Sequence, residues 1–273
     1  MPSFASIKAA ADTTAAVHKA LEAVAFLAPM TVDLPTAITG TDRQPVDLAA
    51  LNYWPVGLVT PDGYTFGGDV EKSEVEALGY SVPARSDIIR APKTIAFTAL
   101  ESDRRHLAEL LYGMDLSTVE AGPNGEITFD EPPVPMGSEY RLLVISKDGT
   151  AAAPYYRGRG YGRVKLANVP EEVWQASDPR QYPIELDVLI DDELGTPVRH
   201  YMGGQAFDAT AYGYLAQAWT ATTAYALGSK VRLSGGDVLE ATTAGTSSST
   251  EPTAPGTVGG TVTDGTVTWT RRS

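Results

Sequence analysis

Residues 53–68 read YWPVGLVTPDGYTFGG, and this stretch decides the fold. Aromatic and β-branched residues flank a Pro61-Asp62-Gly63 turn signal, the pattern of a strand that folds back on itself as a hairpin. Moving outward, the same kind of signal repeats. Strand patterns cover 70–78, 87–90 and 94–100, and in the last of these Ile95, Phe97 and Ala99 take every second position. Further strands are expected at 126–130, 140–147, 161–168 and 184–190, and PVRHYMGG at 197–204 would close the sheet. One helix interrupts the series. Ser102 and Asp103 offer an N-cap, Leu107, Leu110 and Leu111 share a face, and Gly113 suits the residue after the last turn. Many short strands around a single central helix predict a mainly β fold of the α+β class, a β-sandwich or barrel with a flanking helix.

Upstream, residues 8–28 are Ala-rich, and Val17, Leu21, Val24 and Ala28 recur every three or four positions. That spacing predicts an N-terminal helix, stopped by Pro29 and Pro35. Residues 31–52 hold many turn residues and little periodicity, so they are expected to form an extended arm that orders on a partner. Downstream, from Trp219, the composition shifts to Thr, Ser, Gly and Ala. Lys230, Arg232, Arg271 and Arg272 there balance Asp237, Glu240, Glu251 and Asp264. The organisation expected is a helix and arm over 1–52, a β-sandwich domain over 53–215, and a small all-β appendage over 216–273.

Composition narrows the function classes. The 273 residues are 43% hydrophobic and 8% aromatic, which is globular. The formal charge of −13 comes wholly from the first 210 or so positions, because the appendage is neutral. Such a balance argues against nucleic-acid binding, which needs clustered Lys and Arg. Zero cysteines exclude a disulfide framework, a thiolate metal site and a thiol nucleophile. The apolar run 20–30 is broken by Glu22 and ended by Pro29, far short of the ~20 residues that span a bilayer, so no membrane partner is expected. Asp12, His18, Lys19 and Glu22 interrupt any apolar signal segment, and none is expected at the N-terminus.

Catalytic constellations are missing from the pattern. His18, His106 and His200 stand in different elements without His or carboxylate partners at ligand spacing, which predicts surface or edge histidines and no metal. The run Asp191-Asp192-Glu193 matches no calcium-loop spacing and reads as an acidic turn between strands. YYRGRGYGRVK at 155–165 holds the one basic cluster, Arg157, Arg159, Arg163 and Lys165, at a glycine spacing that fits neither a phosphate loop nor a dinucleotide fingerprint. Strand alternation would put Arg157, Arg159, Tyr161 and Arg163 on one face. These four basic residues, with Asp191, Asp192 and Glu193 as acidic counterparts, are the candidate contacts between subunits. No nucleophile elbow, triad order or paired-carboxylate signature occurs, so neither an enzyme nor a cofactor is expected.

The stretch from WPVGLVTPDGYTF through SEVEALGYSVPARSDIIRAPKTIAFTALESDRRHLAELLYG resembles the major tail (tail tube) proteins of long-tailed phages infecting actinobacteria. A Gly-turn-aromatic hairpin, the Pro83 to Asp87 segment, and a strand running into the Glu101 to Gly113 helix carry the likeness. It covers roughly residues 50–204, and no single residue in it is diagnostic. The resemblance implies a tail-tube-type β-sandwich or barrel that forms hexameric rings, stacked into a conduit for genomic DNA. It further implies a virion protein assembled in the host cytoplasm, whose partners are itself, the tape measure and terminator proteins, and DNA that passes without specific binding. An acidic lumen would repel phosphates, and open sheet edges would join neighbouring subunits, with the N-terminal arm reaching across.

The last module, with Trp219, Tyr225, Gly228, Val231, Glu251-Pro252 and Asp264 to Trp269, looks like the small β domains appended to phage virion proteins, which are similar to chitin-binding modules. Trp219, Tyr225 and Trp269 are then candidates for stacking on a cell-surface glycan. The same three rings equally suit the core of a small domain with little else to bury. Two other classes compete with the tube subunit. One is a secreted carbohydrate-binding protein acting through this module, and the other is a different virion part such as a terminator, baseplate hub or capsid decoration protein.

Overall fold

Two long strands rich in Tyr, Leu, Val and Ile organise the molecule. β7 (Glu139–Gly149) and β8 (Pro154–Leu166) pair antiparallel across the connection 150–153. The computed structural model describes residues 3–11, 16–134 and 137–272. On the far side of β7 lies β1 (Glu22–Pro29), in register from Glu22 opposite Lys147 to Pro29 opposite Tyr140. A two-residue strand, β2 (Trp54–Pro55), closes that edge. The free edge of β8 is shared. β9 (Tyr182–Leu189) takes residues 163–166, and β10 (Val198–Gly203) takes residues 156–161. Beyond β9 come β6 (Lys93–Ala99) and then β3 (Val59–Gly68), giving the order β2-β1-β7-β8-β9-β6-β3 with β10 beside β8. The chain is mainly β, 39% strand and 5% helix, with antiparallel sheets and no closed barrel.

Two cores sit on the two faces of this sheet. Leu27 of β1 and Ile95 and Phe97 of β6, strands far apart in the order, share one core with Leu142, Val164 and Ile184. The sheet therefore curls, and helix α2 (Arg105–Tyr112) fills the hollow with Leu107, Leu110 and Leu111. The opposite face of β1, β7, β8 and β10 is covered by residues 31–53, whose Leu34, Ile38, Leu48 and Tyr53 pack on Leu143, Ile145, Tyr156 and Tyr201. Hydrogen bonds fasten this cover: Tyr53 Oη donates to the Asp33 carbonyl at 2.9 Å and Tyr201 Oη to the Pro35 carbonyl at 2.6 Å.

Several expectations change in this light. The helix expected over 8–28 is a short helix, α1 (Phe4–Ala11), followed later by β1; residues 12–15 lie outside the described residues. β1 is buried on both faces, Ala25 and Leu27 in one core and Ala28 in the other, so it lacks the alternation that marks a half-buried strand. The arm 31–52 is irregular as expected, but it lies on its own sheet instead of reaching away, because it supplies the apolar cover that face needs. The Pro61-Asp62-Gly63 signal makes no hairpin. β3 runs through it, with Val59 opposite Ala99 and Tyr64 opposite Phe97, so the turn residues form a bulge on an edge strand, where Pro loses no ladder bond. Residues 126–130 form no strand. Ser102 and Asp103 bind Arg180 instead of capping α2, while Gly113 does end that helix in the left-handed region at φ 61°.

Of the strands expected at 70–78, 87–90 and 94–100, the first two form a separate ribbon, β4 (Glu71–Val75) with β5 (Arg85–Arg90), while the third is β6 of the main sheet. At the C-terminus a second sheet runs β11 (Gln217–Ala218), β13 (Lys230–Arg232), β14 (Val238–Thr243), β17 (Val267–Arg271) and β16 (Thr261–Asp264). A small pair, β12 (Ala224–Tyr225) with β15 (Gly245–Thr246), packs beside it. β16 turns into β17 through Gly265 and Thr266. Gly265 has φ 64°, and a Cβ there would sit 2.2 Å from the Thr246 carbonyl oxygen, so only glycine fits.

If β1 is a central strand, Leu27→Ala should cost about 2–5 kcal/mol in denaturant unfolding. Val17→Ala, on an exposed segment, should stay within about 0.5 kcal/mol. A similar cost for both would contradict this assignment of β1.

Candidate functional site

The first candidate cluster surrounds a residue the sequence pattern did not single out. Arg141 on β7 is 2% exposed. Its Nη1 donates to Asp191 Oδ2 at 2.5 Å and its Nη2 to Glu193 Oε2 at 2.7 Å, while Asp33 Oδ1 stands 3.7 Å away. A bulge explains how it gets there. Tyr140 pairs with Val164 but Leu142 pairs with Tyr161, so Gly162 and Arg163 together oppose Arg141. Gly162 leaves the necessary space, since a Cβ there would meet Asp191 Oδ2 at 2.3 Å. Burial works to raise the Asp191 carboxyl, but the Glu193 N–H and the Arg141 guanidinium outweigh it and hold the group below the usual range.

That bulge also redistributes the basic cluster. Tyr161 and Val164 both enter the first core, so alternation slips between them. Arg157 and Arg159 therefore share a face with Tyr161, whereas Arg163 and Lys165 lie on the other, and the single basic face expected from strand alternation does not form. Arg159 lies 4.1 Å above the Phe66 ring, and Arg163 makes a two-pronged bond to Glu139 at 2.7 and 2.8 Å. Arg157, Lys165 and Asp192 are exposed. Asp191 is buried against Arg141 and so is unavailable to another subunit. Glu193 keeps an exposed carboxylate while also bonding Arg141.

In the C-terminal module two of the three candidate glycan-binding rings, Tyr225 and Trp269, face inward, and Trp219 lies at the margin of the same core. Trp269 is fully buried, Tyr225 nearly so, and Trp219 packs against the same core. One carboxylate accounts for both indoles. Asp264 Oδ2 accepts from Trp219 Nε1 at 2.8 Å and from Trp269 Nε1 at 3.0 Å, while Oδ1 accepts from the Ser248 N–H at 2.8 Å. Burial opposes the charge on Asp264, yet these donors hold its carboxyl below the normal range. Tyr225 meets Trp269 edge-on at 5.0 Å, and its Oη is engaged by the backbone of Thr220. Tyr225 and Trp269 offer no free face to a sugar, because a small domain spends its aromatics on its core, whereas Trp219 stays partly exposed at the core's margin.

The module is seated on the body. Arg43 Nη2 donates to the Gly228 carbonyl at 2.7 Å, and Lys230 Nζ lies 2.5 Å from Asp208 Oδ2. A polar cleft of about 540 Å³ runs between them, lined by Arg43, Gln205, Asp208, Lys230 and Glu240, whose charges pair within the cleft. The histidines are more engaged than expected. His106 is buried, with Nε2 2.7 Å from the Pro55 carbonyl, and burial pushes its pKa down. His18 stacks on Tyr155 at 3.8 Å beside Asp148, where the Lys19 N–H also binds. His200 is exposed on β10. Among the described residues no group of three or more His, Asp or Glu could hold a metal ion.

Two surfaces remain uncovered. Every residue of β4 and β5 is exposed, and each strand pairs only with the other. Val75, Leu78, Tyr80, Val82, Ile88 and Ile89 stand in solvent along this ribbon and its tip, with Leu78 fully exposed. The outer face of β3, β6 and β9 is the second. There Thr65, Ala96 and Glu185 form one row across the strands, and Thr94, Asp187 and Lys165 the next. No protein-family model matches the chain, and no curated protein matches it.

Two measurements check this account. Asp264→Ala strips the acceptor from two indoles and an amide, and should lower the module's stability by about 3 kcal/mol in thermal unfolding followed by Trp fluorescence. Arg141→Ala leaves Asp191 buried without its partner and should cost about 3–5 kcal/mol. Because the folded-state pKa of Asp191 is depressed, its contribution is complete above the unfolded value of about 4 and disappears as pH falls through the lower folded value. Acid unfolding of Arg141→Ala should accordingly lose part of the pH dependence that the parent shows below about pH 4.

Proposed function

We propose that this chain is a structural subunit that assembles with copies of itself into stacked rings, the tube of a phage tail through which DNA passes. The β4–β5 ribbon carries the reading. A lone two-stranded ribbon is marginal in water, and each large apolar side chain left exposed forgoes about 1.5–3 kcal/mol of burial. Six such side chains on one projecting ribbon are a liability for a monomer and a joint for an assembly.

Other features support the same reading. The outer edge of β3 pairs with no other strand among the described residues, and such edges recruit strands from neighbouring chains. The uncovered face of β3, β6 and β9 offers small hydroxyl and methyl groups with Glu185 and Asp187, and the neighbouring Lys165 of β8 is outnumbered by these carboxylates, so a phosphate backbone has little reason to adhere. Seated by Arg43 and Lys230, the C-terminal module would decorate the outside of the tube. Tape measure and terminator proteins would be the heterologous partners, and the role is structural, without catalysis. The carbohydrate-binding alternative weakens, because Tyr225 and Trp269, two of its three candidate rings, are buried in the module's core.

Negative-stain electron microscopy across a concentration series is the test. Rings or tubes with a central channel are expected as concentration rises. Dispersed particles of monomer size at every concentration would sink the proposal.

A further inference from the structure

We propose that the tip of the β4–β5 ribbon of one copy seats in an apolar groove on a second copy, at the opposite end of the main sheet. This inference rests on the self-assembly reading and adds to it the identity of the socket. The groove lies between β1, β7 and the covering segment, where Val24, Phe26, Val46, Leu48, Ile145 and Tyr156 enclose about 540 Å³. Its floor is the margin of the second core, so the apolar lining is already rigid. Glu22, Asp47 and Lys147 stand around it.

Register fixes the relation between prong and socket. The ribbon leaves the sheet after Gly68 and re-enters at Lys93, one position from the row Gly67, Thr94, Asp187, Lys165 and Glu139. Glu139 begins β7. The groove lies beside Ser146 and Lys147, where β7 ends and where Glu22 begins β1. Eight residues of strand separate the two levels, roughly 27 Å at about 3.4 Å per residue. In its own chain the ribbon is exposed throughout and leaves the groove open. A prong at one end of a body and a matching socket at the other form a head-to-tail contact, the kind that repeats from copy to copy.

Area supports the ribbon as the occupant. Burying Leu78, Tyr80 and Val82 of the tip would remove on the order of 300 Å² of apolar surface from water, a core for a contact whose ordinary size is about 800 Å² per partner. The competing segment of the chain, α1, is Ala-rich with Phe4 as its only aromatic, and has less apolar surface to offer.

Because the chain has no cysteine, disulfide trapping between single-site variants is clean. The L78C, A49C and F4C variants would be mixed in pairs at millimolar concentration, oxidised, and examined by gel and by electron microscopy. A cross-link between L78C and A49C, together with rings or tubes, is the expected result. Rings or tubes without that cross-link, or with an F4C–A49C cross-link in its place, would overturn the socket while leaving self-assembly intact. A chain that stays monomeric and uncross-linked would overturn both. Independently, Leu78→Asp should raise the concentration needed for assembly at least about tenfold. Its melting temperature should not change, since Leu78 is fully exposed in its own chain. An unchanged assembly threshold would count against the proposal.

Discussion

The centre of the main sheet is covered on both faces, and most of the architecture follows from that constraint. β1, β7 and β8 carry apolar side chains in both directions, so neither face can be left to water. One face is closed by the sheet's own curl, which brings β6 and β9 over β1 and lets α2 fill the gap. The other is closed by residues 31–53, an irregular segment held by a few apolar anchors and by hydrogen bonds from Tyr53, Tyr201 and Arg199 to its backbone. This segment in turn presents Arg43 to the C-terminal module. The cover is thus also the bracket on which the appendage sits.

Within that sandwich a single bulge places the most buried charge. By opposing two residues of β8 to Arg141, it turns the guanidinium toward the β9–β10 connection, where Asp191 and Glu193 meet it. A buried cation without such partners would be strongly unfavourable, so the acidic connection and the bulge require each other. The same slip separates Arg163 and Lys165 from Arg157 and Arg159. Charge that reads as one patch along the chain becomes two different environments, one bound to Glu139 and the other resting on Phe66.

Against this interior, the β4–β5 ribbon stands apart, with no buried residue in either strand. In the small module the aromatics serve the core: the two indoles share a single carboxylate, and Tyr225 is bonded at its hydroxyl. Val, Leu, Tyr and Ile uncovered along one projection form an exposed apolar patch of the kind that marks interaction sites. Charge adds a second constraint: the chain carries 34 acidic against 21 basic residues, and binding a phosphate backbone needs clustered cations.

The sequence alone determined the β-rich class, the position of most strands, the α2 helix with its Leu107, Leu110 and Leu111 face and Gly113 stop, and the compositional break before the module. These are local properties: alternation, capping chemistry and residue usage leave marks within a few positions. Only the tertiary structure decided the rest. β1 looked helical because a strand buried on both sides loses its period of two, and Ala-rich segments suit a helix equally well. The turn signal at Pro61 to Gly63 became a bulge because β6 was already paired on both sides of it. Whether Trp219 and Trp269 face a ligand or a core depended on Asp264, which reaches them across the fold of the module. The fate of Arg141, Asp191 and Glu193 was equally out of reach of spacing, since fifty residues separate partners that a sheet register brings within a hydrogen bond.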